Sequence, residues 1–178
     1  MRGLAARGAR SREVSGEARE EQAAKPASAS ACTMTELVLP QHSNALGTIF
    51  GGTVMSWVDL CGAICAQRHS GRQVVTAFVD DLLFEGPVRV GQVARLAARI
   101  NATFRTSMEV EVVVEGEDAP SGKTWPCVRA VLTFVALDEA GKPTAVPPLA
   151  IEGEDDERRK REAEERRSLR LRRSRSRG

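Results

Sequence analysis

From Gly51 to Ala66 the chain reads GGTVMSWVDLCGAICA, sixteen residues with one charge, the carboxylate of Asp59. A run this long and this poor in charge has to be buried, and its length favours a helix over a strand. The spacing predicts one helix that begins at Gly51-Gly52, runs for about eighteen residues and ends near His69-Ser70, with Gly71 as the stop. Met55, Trp57, Val58, Leu60, Ile64 and Cys65 lie on more than one side of it, the mark of a helix enclosed by the rest of the fold. Every other element has to be arranged around this segment. Asp59 in its middle then needs a reason, because a buried acid is costly unless it is partnered or has a job.

Beyond Gly71 the apolar period changes from helical spacing to two. QVVTAFVDDLLF reads as a strand broken near Gly86-Pro87. GQVARLAARINATF alternates as well, although its alanines also permit a helix. SMEVEVVVEGED sets Met108, Val110, Val112 and Val114 against Glu109, Glu111 and Glu115, the pattern of a strand with one face in the core and one in water. WPCVRAVLTFVALD is the last long strand, and MTELVLP, ahead of the helix, is a short first strand ended by Pro40. The element order implies an α+β fold, an antiparallel sheet wrapped on a single long helix.

Charge divides the chain into three. Residues 34–148 form a mildly acidic body, so the overall net charge of +2 is no argument that the folded part binds nucleic acid. Residues 1–33 are rich in Ala, Gly, Ser, Arg and Glu without a periodic apolar face, and are expected to be a disordered extension. They lack the apolar stretch of a secretory signal, and no run is long enough to span a membrane, so a cytoplasmic protein is expected. Residues 149–178 place acids first and bases last, and read as a solvated helix that frays into disorder.

Three features carry chemistry. A helix that opens on Gly51-Gly52 presents free backbone N–H groups, with no side chains in the way, to negative charge developing on a carbonyl oxygen. Asp59 lies two turns further on, with Gly52, Met55, Ser56, Gly62 and Ala63 as its face neighbours. Asn44, in the loop before the helix, can orient a water or a carbonyl. Spacing alone leaves Asp59 open between a catalytic and a partnered structural acid. Cys32, Cys61, Cys65 and Cys127 lack the spacing of a zinc site and read as small buried residues in a reducing compartment.

The run HSNALGTIFGGTVMSWVDLCGAICAQRHS, followed by VVTAFVDDLLFEGPVRVGQ, TSMEVEVVVEGE and LTFVALDEAGKP, resembles the hotdog-fold acyl-CoA thioesterases. It is most similar to the bacterial branch related to the cytosolic acyl-CoA hydrolases of animals. The resemblance spans about Met34 to Pro148 and rests on several motifs in order. It implies two protomers joined sheet edge to sheet edge, dimers that assemble as a trimer of dimers, and a site at the dimer interface. Asp59 matches the family's catalytic aspartate and Asn44 its active-site asparagine, the two coming from opposite protomers. Gly51 and Gly52 match the pair whose N–H groups polarise the thioester. Thr76 matches a threonine beside that site, and Arg105, Thr106 and Ser107 match a turn close to the CoA moiety. Thr53 and Gly86 depart from the family pattern, near the expected acyl or pantetheine path.

The expected activity is hydrolysis of acyl-CoA to a fatty acid and CoA. Asp59 acts as general base or nucleophile, with no metal and no cofactor beyond the CoA carried by the substrate. Arg68, His69 and Arg72 close the helix, where they can meet CoA phosphates or simply complement the helix dipole. Two other classes stay open: a non-catalytic acyl-CoA-binding regulator, and a hotdog dehydratase acting on enoyl or hydroxyacyl thioesters, which would want an Asp/His pair at the site.

Overall fold

The computed structural model describes residues 23–175. Its elements are β1 (Lys25–Pro26), β2 (Cys32–Leu37), α1 (Gly51–Ser70), β3 (Gln73–Phe84), β4 (Val93–Thr103), β5 (Ser107–Asp118), β6 (Lys123–Leu137), β7 (Leu149–Ala150) and α2 (Glu154–Arg175). Five strands form one antiparallel sheet in the order β2-β4-β5-β6-β3. Helix α1 carries the chain from one edge of that sheet to the other, which is why β2 and β3, its flanking strands, end up farthest apart.

One side of α1, bearing Val54, Val58, Cys61, Cys65 and Ala66, packs into the core with Val110 and Val112 of β5 and Leu132 and Phe134 of β6. Each Val, Leu or Phe side chain so removed from water contributes about 1.5–3 kcal/mol. Close approach depends on Gly62, where a Cβ would lie 3.0 Å from the Phe134 ring and 3.4 Å from Val112. Gly71 ends the helix in the left-handed region, at φ 64°.

The alternation in β5 places Met108, Val110, Val112 and Val114 in the core as expected. Its other face is not in water. Glu109 is fully buried and Glu111 nearly so, because α2 lies across them. The Arg166 guanidinium stands 2.7 Å from Glu109, and Asn101 donates to the same carboxylate at 3.2 Å. Arg159 pairs with Glu111, Arg170 with Asp80 on β3, and Arg99 on β4 with Asp156. Ala163, fully buried, lets the helix sit close. The expected solvated helix is therefore a docked one, its charges matched to carboxylates of the sheet. Burial alone would raise the Glu111 pKa, but Arg159 and Arg129 outweigh it and hold the carboxyl below its usual range.

Part of the expected N-terminal extension is folded. Residues 1–22 lie outside the described residues, but residues 25–37 belong to the fold. β1 pairs in parallel with β7, Ala27 is buried, and β2 starts at Cys32 and ends at Leu37, ahead of a short turn of helix at Pro40–His42. His69 at the end of α1 ties this segment down. Its Nε2 lies 3.2 Å from the Pro147 carbonyl, which can only accept, so the neutral ring donates there and accepts the Ser30 hydroxyl hydrogen bond at Nδ1, 3.0 Å away.

Two outcomes follow from this packing. Arg166→Met strands the Glu109 charge in the interior and is expected to cost roughly 3 kcal/mol, read from denaturant midpoints. Burial lowers the His69 pKa below its ordinary 6.5. On acidification the unfolded chain therefore takes up that proton first, so this contribution is constant above about pH 7 and is lost as pH falls through the folded-state value. Urea midpoints from about pH 7.5 to pH 5 are expected to fall in the wild type and to flatten in His69→Gln.

Candidate active site

The site is built where the fold leaves α1 uncovered. β3 is the last strand of the sheet, and among the described residues no strand pairs with its outer edge. Its edge carries Val75, Phe78, Val79, Leu83 and Phe84, all between 42% and 55% exposed, and the adjoining side of α1 shows Met55 and Leu60. The helix expected to be enclosed on all sides is thus enclosed on one, and Asp59 is half-buried on the open side rather than buried. Thr76, projecting from β3, donates its hydroxyl to Asp59 Oδ1 at 2.5 Å. The short side chain from the neighbouring strand fixes the rotamer of the acid and leaves its second oxygen free to act.

The other components gather at the start of α1. Phe50 is the N-cap residue and provides no side-chain cap, and the first turn holds no acid. The N–H groups of Gly51 and Gly52 precede the first intrahelical bonds and so point outward without partners in the helix. Phe50 is anchored by its own N–H, which donates to the His42 carbonyl at 2.8 Å. Its ring lies over Gly52, where a Cβ would come within 2.5 Å of it.

Asn44 shapes the loop that leads there. Its Oδ1 accepts from the Leu46 N–H at 2.9 Å and its Nδ2 donates to Thr48 Oγ1 at 3.0 Å. One Nδ2 hydrogen remains, since the amide carries two. Gly51 touches the far end of β3, its Cβ position being 3.5 Å from the Phe84 ring.

Within one chain, then, Asp59 and Thr76 form one group, and Asn44, Gly51 and Gly52 another, at opposite ends of β3. The Arg105-Thr106-Ser107 turn belongs to neither. Met108, Phe134 and Thr76 are in register across β5, β6 and β3, which sets the turn about two strand spacings, roughly 10 Å, from Thr76. Arg105 there is exposed. Arg68 is engaged elsewhere, donating to the Ala31 carbonyl at 2.6 Å. Neither described histidine is hydrogen-bonded to Asp59: His42 accepts from the Leu39 N–H and packs edge-on to Trp57, and His69 holds Ser30 and Pro147.

A family model described as the thioesterase superfamily matches residues 46–122. An uncharacterized acyl-CoA thioester hydrolase of Zymomonas mobilis is 36% identical over 113 residues, 64% of this chain and 76% of that protein. The chain belongs to the thioesterase superfamily. Its fold is the hotdog arrangement of that superfamily. A crystal structure of an apo-hexameric acyl-CoA thioesterase matches with a TM-score of 0.82 and 37% identity, over 85% of this chain and 97% of that one. An acyl-CoA hydrolase of Staphylococcus aureus, in complex with butyryl-CoA, CoA and CoA disulfide, matches with a TM-score of 0.78 and 36% identity, over 86% and 94%.

Three further structures of that hydrolase carry alanine in place of an asparagine, an aspartate and a threonine. Their positions differ by fifteen and by seventeen, the spacing of Asn44, Asp59 and Thr76 in this thioesterase-superfamily chain. The chain spans only 18% to 25% of the length of the rodent acyl-CoA and acetyl-CoA thioesterases that it also matches.

No group of three metal-ligating side chains occurs among the described residues. All four cysteines are free and buried. Burial pushes the thiols of Cys61 and Cys65 up to about 12 and that of Cys127 up to about 11. These three are expected to resist iodoacetamide at about pH 8 in the native protein and to react once it is unfolded, because the thiolate is the nucleophile. Mass spectrometry of the labelled chain checks this.

Proposed function

We propose that the protein hydrolyses acyl-CoA thioesters to a free fatty acid and CoA, at sites that each need two copies of the chain. The observation that carries this is the placement of the two half-sites at opposite ends of an unpaired apolar edge strand. If two copies dock antiparallel along β3, each strand's Thr76 end lies beside the partner's Phe84 end. Asp59 and Thr76 of one copy then face the Gly51-Gly52 terminus and Asn44 of the other. The same docking covers the exposed edge, whose free N–H and C=O groups and apolar side chains otherwise invite aggregation. The matched spacing of Asn44, Asp59 and Thr76 in the Staphylococcus aureus hydrolase supports the same assignment.

The thioester carbonyl oxygen accepts from the Gly51 and Gly52 N–H groups, which meet the charge that develops there. In one route Asp59 takes a proton from water as the oxygen adds to the carbonyl carbon. The tetrahedral intermediate collapses, the C–S bond breaks, and the CoA thiolate leaves with that proton. In the other route the Asp59 carboxylate attacks the carbon itself, CoA departs, and water cleaves the resulting anhydride. Thr76 orients Asp59 in both, and the spare Asn44 hydrogen holds the water or the carbonyl. The Arg105-Thr106-Ser107 turn is assigned to the CoA phosphates, for which an unpaired guanidinium beside two hydroxyls is suited. Arg68, held by Ala31, is left out of that assignment.

This chemistry closes on a carboxylate, an amide and backbone N–H groups, so no metal or cofactor is proposed. A trimer of dimers is the proposed assembly, in keeping with the hexameric relative. The free thiols suit a reducing, cytoplasmic setting.

Asp59→Asn is expected to lower kcat by at least about a hundredfold while the oligomer persists, measured by thiol release from acyl-CoA. Binding without thiol release by the wild type would favour the regulator reading instead. The shared site has a sharper test. Asp59→Asn and Asn44→Ala subunits, each inactive alone, are unfolded together and refolded. Half the dimers are then mixed and hold one intact site in two, so about a quarter of wild-type activity returns. No recovery on mixing would place both groups in one chain's site.

A further inference from the structure

We infer that a cavity beside the Gly51 terminus receives the acyl chain and limits its length, a step that rests on the thioesterase reading above. The cavity is about 340 Å³, bounded by Ile49, Gly51, Val54, Phe84, Pro87 and Cys127. It abuts the N–H groups assigned to the thioester oxygen, so a carbonyl bound there directs one of its two substituents into the cavity. The lining selects the acyl chain over the amide-rich pantetheine arm. Ile49, Val54 and Cys127 are almost wholly buried, and Thr48 and Glu85 are the polar side chains of the lining apart from the Cys127 thiol. The Cys127 thiol stays protonated, pushed up to about 11 chiefly by burial and then by Glu85. Glu85, exposed, is the charged group of the lining, which places charge at the mouth and not at the floor.

The walls are held in place. Trp125 Nε1 donates to the Pro87 carbonyl at 2.9 Å, and Gly86 sits where a Cβ would come within 2.8 Å of the Pro126 carbonyl. Gly86 therefore lets the 84–87 segment lie close against β6 and so fixes one wall. Phe84 provides the opposite one, its ring 3.5 Å from the Cβ position of Gly51. Small-molecule pockets run from about 300 to about 1,000 Å³, so this one is at the lower end. Val54 and Cys127, the most deeply buried side chains of the lining, are the residues assigned to set the limit.

The test is a kcat/KM profile by thiol release over saturated acyl-CoAs from two to sixteen carbons. In the wild type each added methylene is expected to raise kcat/KM by up to about fourfold until the cavity is full, after which the gain stops. Cys127→Leu raises the floor and moves that break to shorter chains; Val54→Ala deepens the cavity and moves it to longer ones. A shift in the expected direction by either folded variant supports the assignment. A break that stays in place in both, with hydrolysis retained, overturns the acyl cavity and leaves the thioesterase reading intact. Absence of thiol release from every chain length in the wild type overturns both.

Discussion

The fold depends on how closely one helix can approach one sheet. α1 lies against β5 and β6 at Gly62, where any side chain would meet Phe134, and the remaining core residues interlock around that contact. A sheet that curls round a single helix is left with two edges. At one, β2 is followed by the loop that carries Asn44 and leads into α1; at the other, the outer edge of β3 pairs with no strand among the described residues. The open side of α1 and the open edge of β3 are the same region of the molecule, and Asp59 and Thr76 occupy it. Packing of the helix and exposure of the acid are thus one geometric fact.

That fact reverses the usual meaning of an apolar edge. In β3 the apolar residues point to both sides of the strand and roughly half their surface remains exposed, a poor solution for a lone subunit. It becomes a good one when the edge is a docking line. The bulges in β3 after Thr76 and after Val79 fall within the stretch that a partner would meet, and they increase local twist there.

The central helix, β3 and β5 were legible in the sequence almost to the residue, because each has an unmistakable apolar period. Gly51, Gly52 and Asp59 stand out in the sequence, but spacing alone leaves Asp59 open between a catalytic and a partnered structural acid, and only the family resemblance assigns the roles. What could not be read was anything decided by charge. Glu109 and Glu111 alternate as solvent-facing residues do, and the α2 arginines look like a hydrated tail. Only in three dimensions do Arg159 and Arg166 meet those carboxylates and bury them. Residues 25–31 were missed for a related reason. They hold on through backbone pairing with β7 and through Ser30 and His69, none of which leaves an apolar period behind. Arg68 looked available for a ligand, and the same N-terminal segment is what takes it up.

Ion pairs so deeply covered add little net stability over well-packed apolar residues, but they determine where α2 may sit. They also bear on how the chain is made. Helix α2 is synthesised after every strand of the main sheet, and domains generally fold as they emerge. During that interval the outer face of the sheet displays Asp80, Glu109 and Glu111 to water, where an apolar face would be adhesive. Until α2 arrives, that face of a nascent sheet meets its surroundings as charge and not as apolar surface.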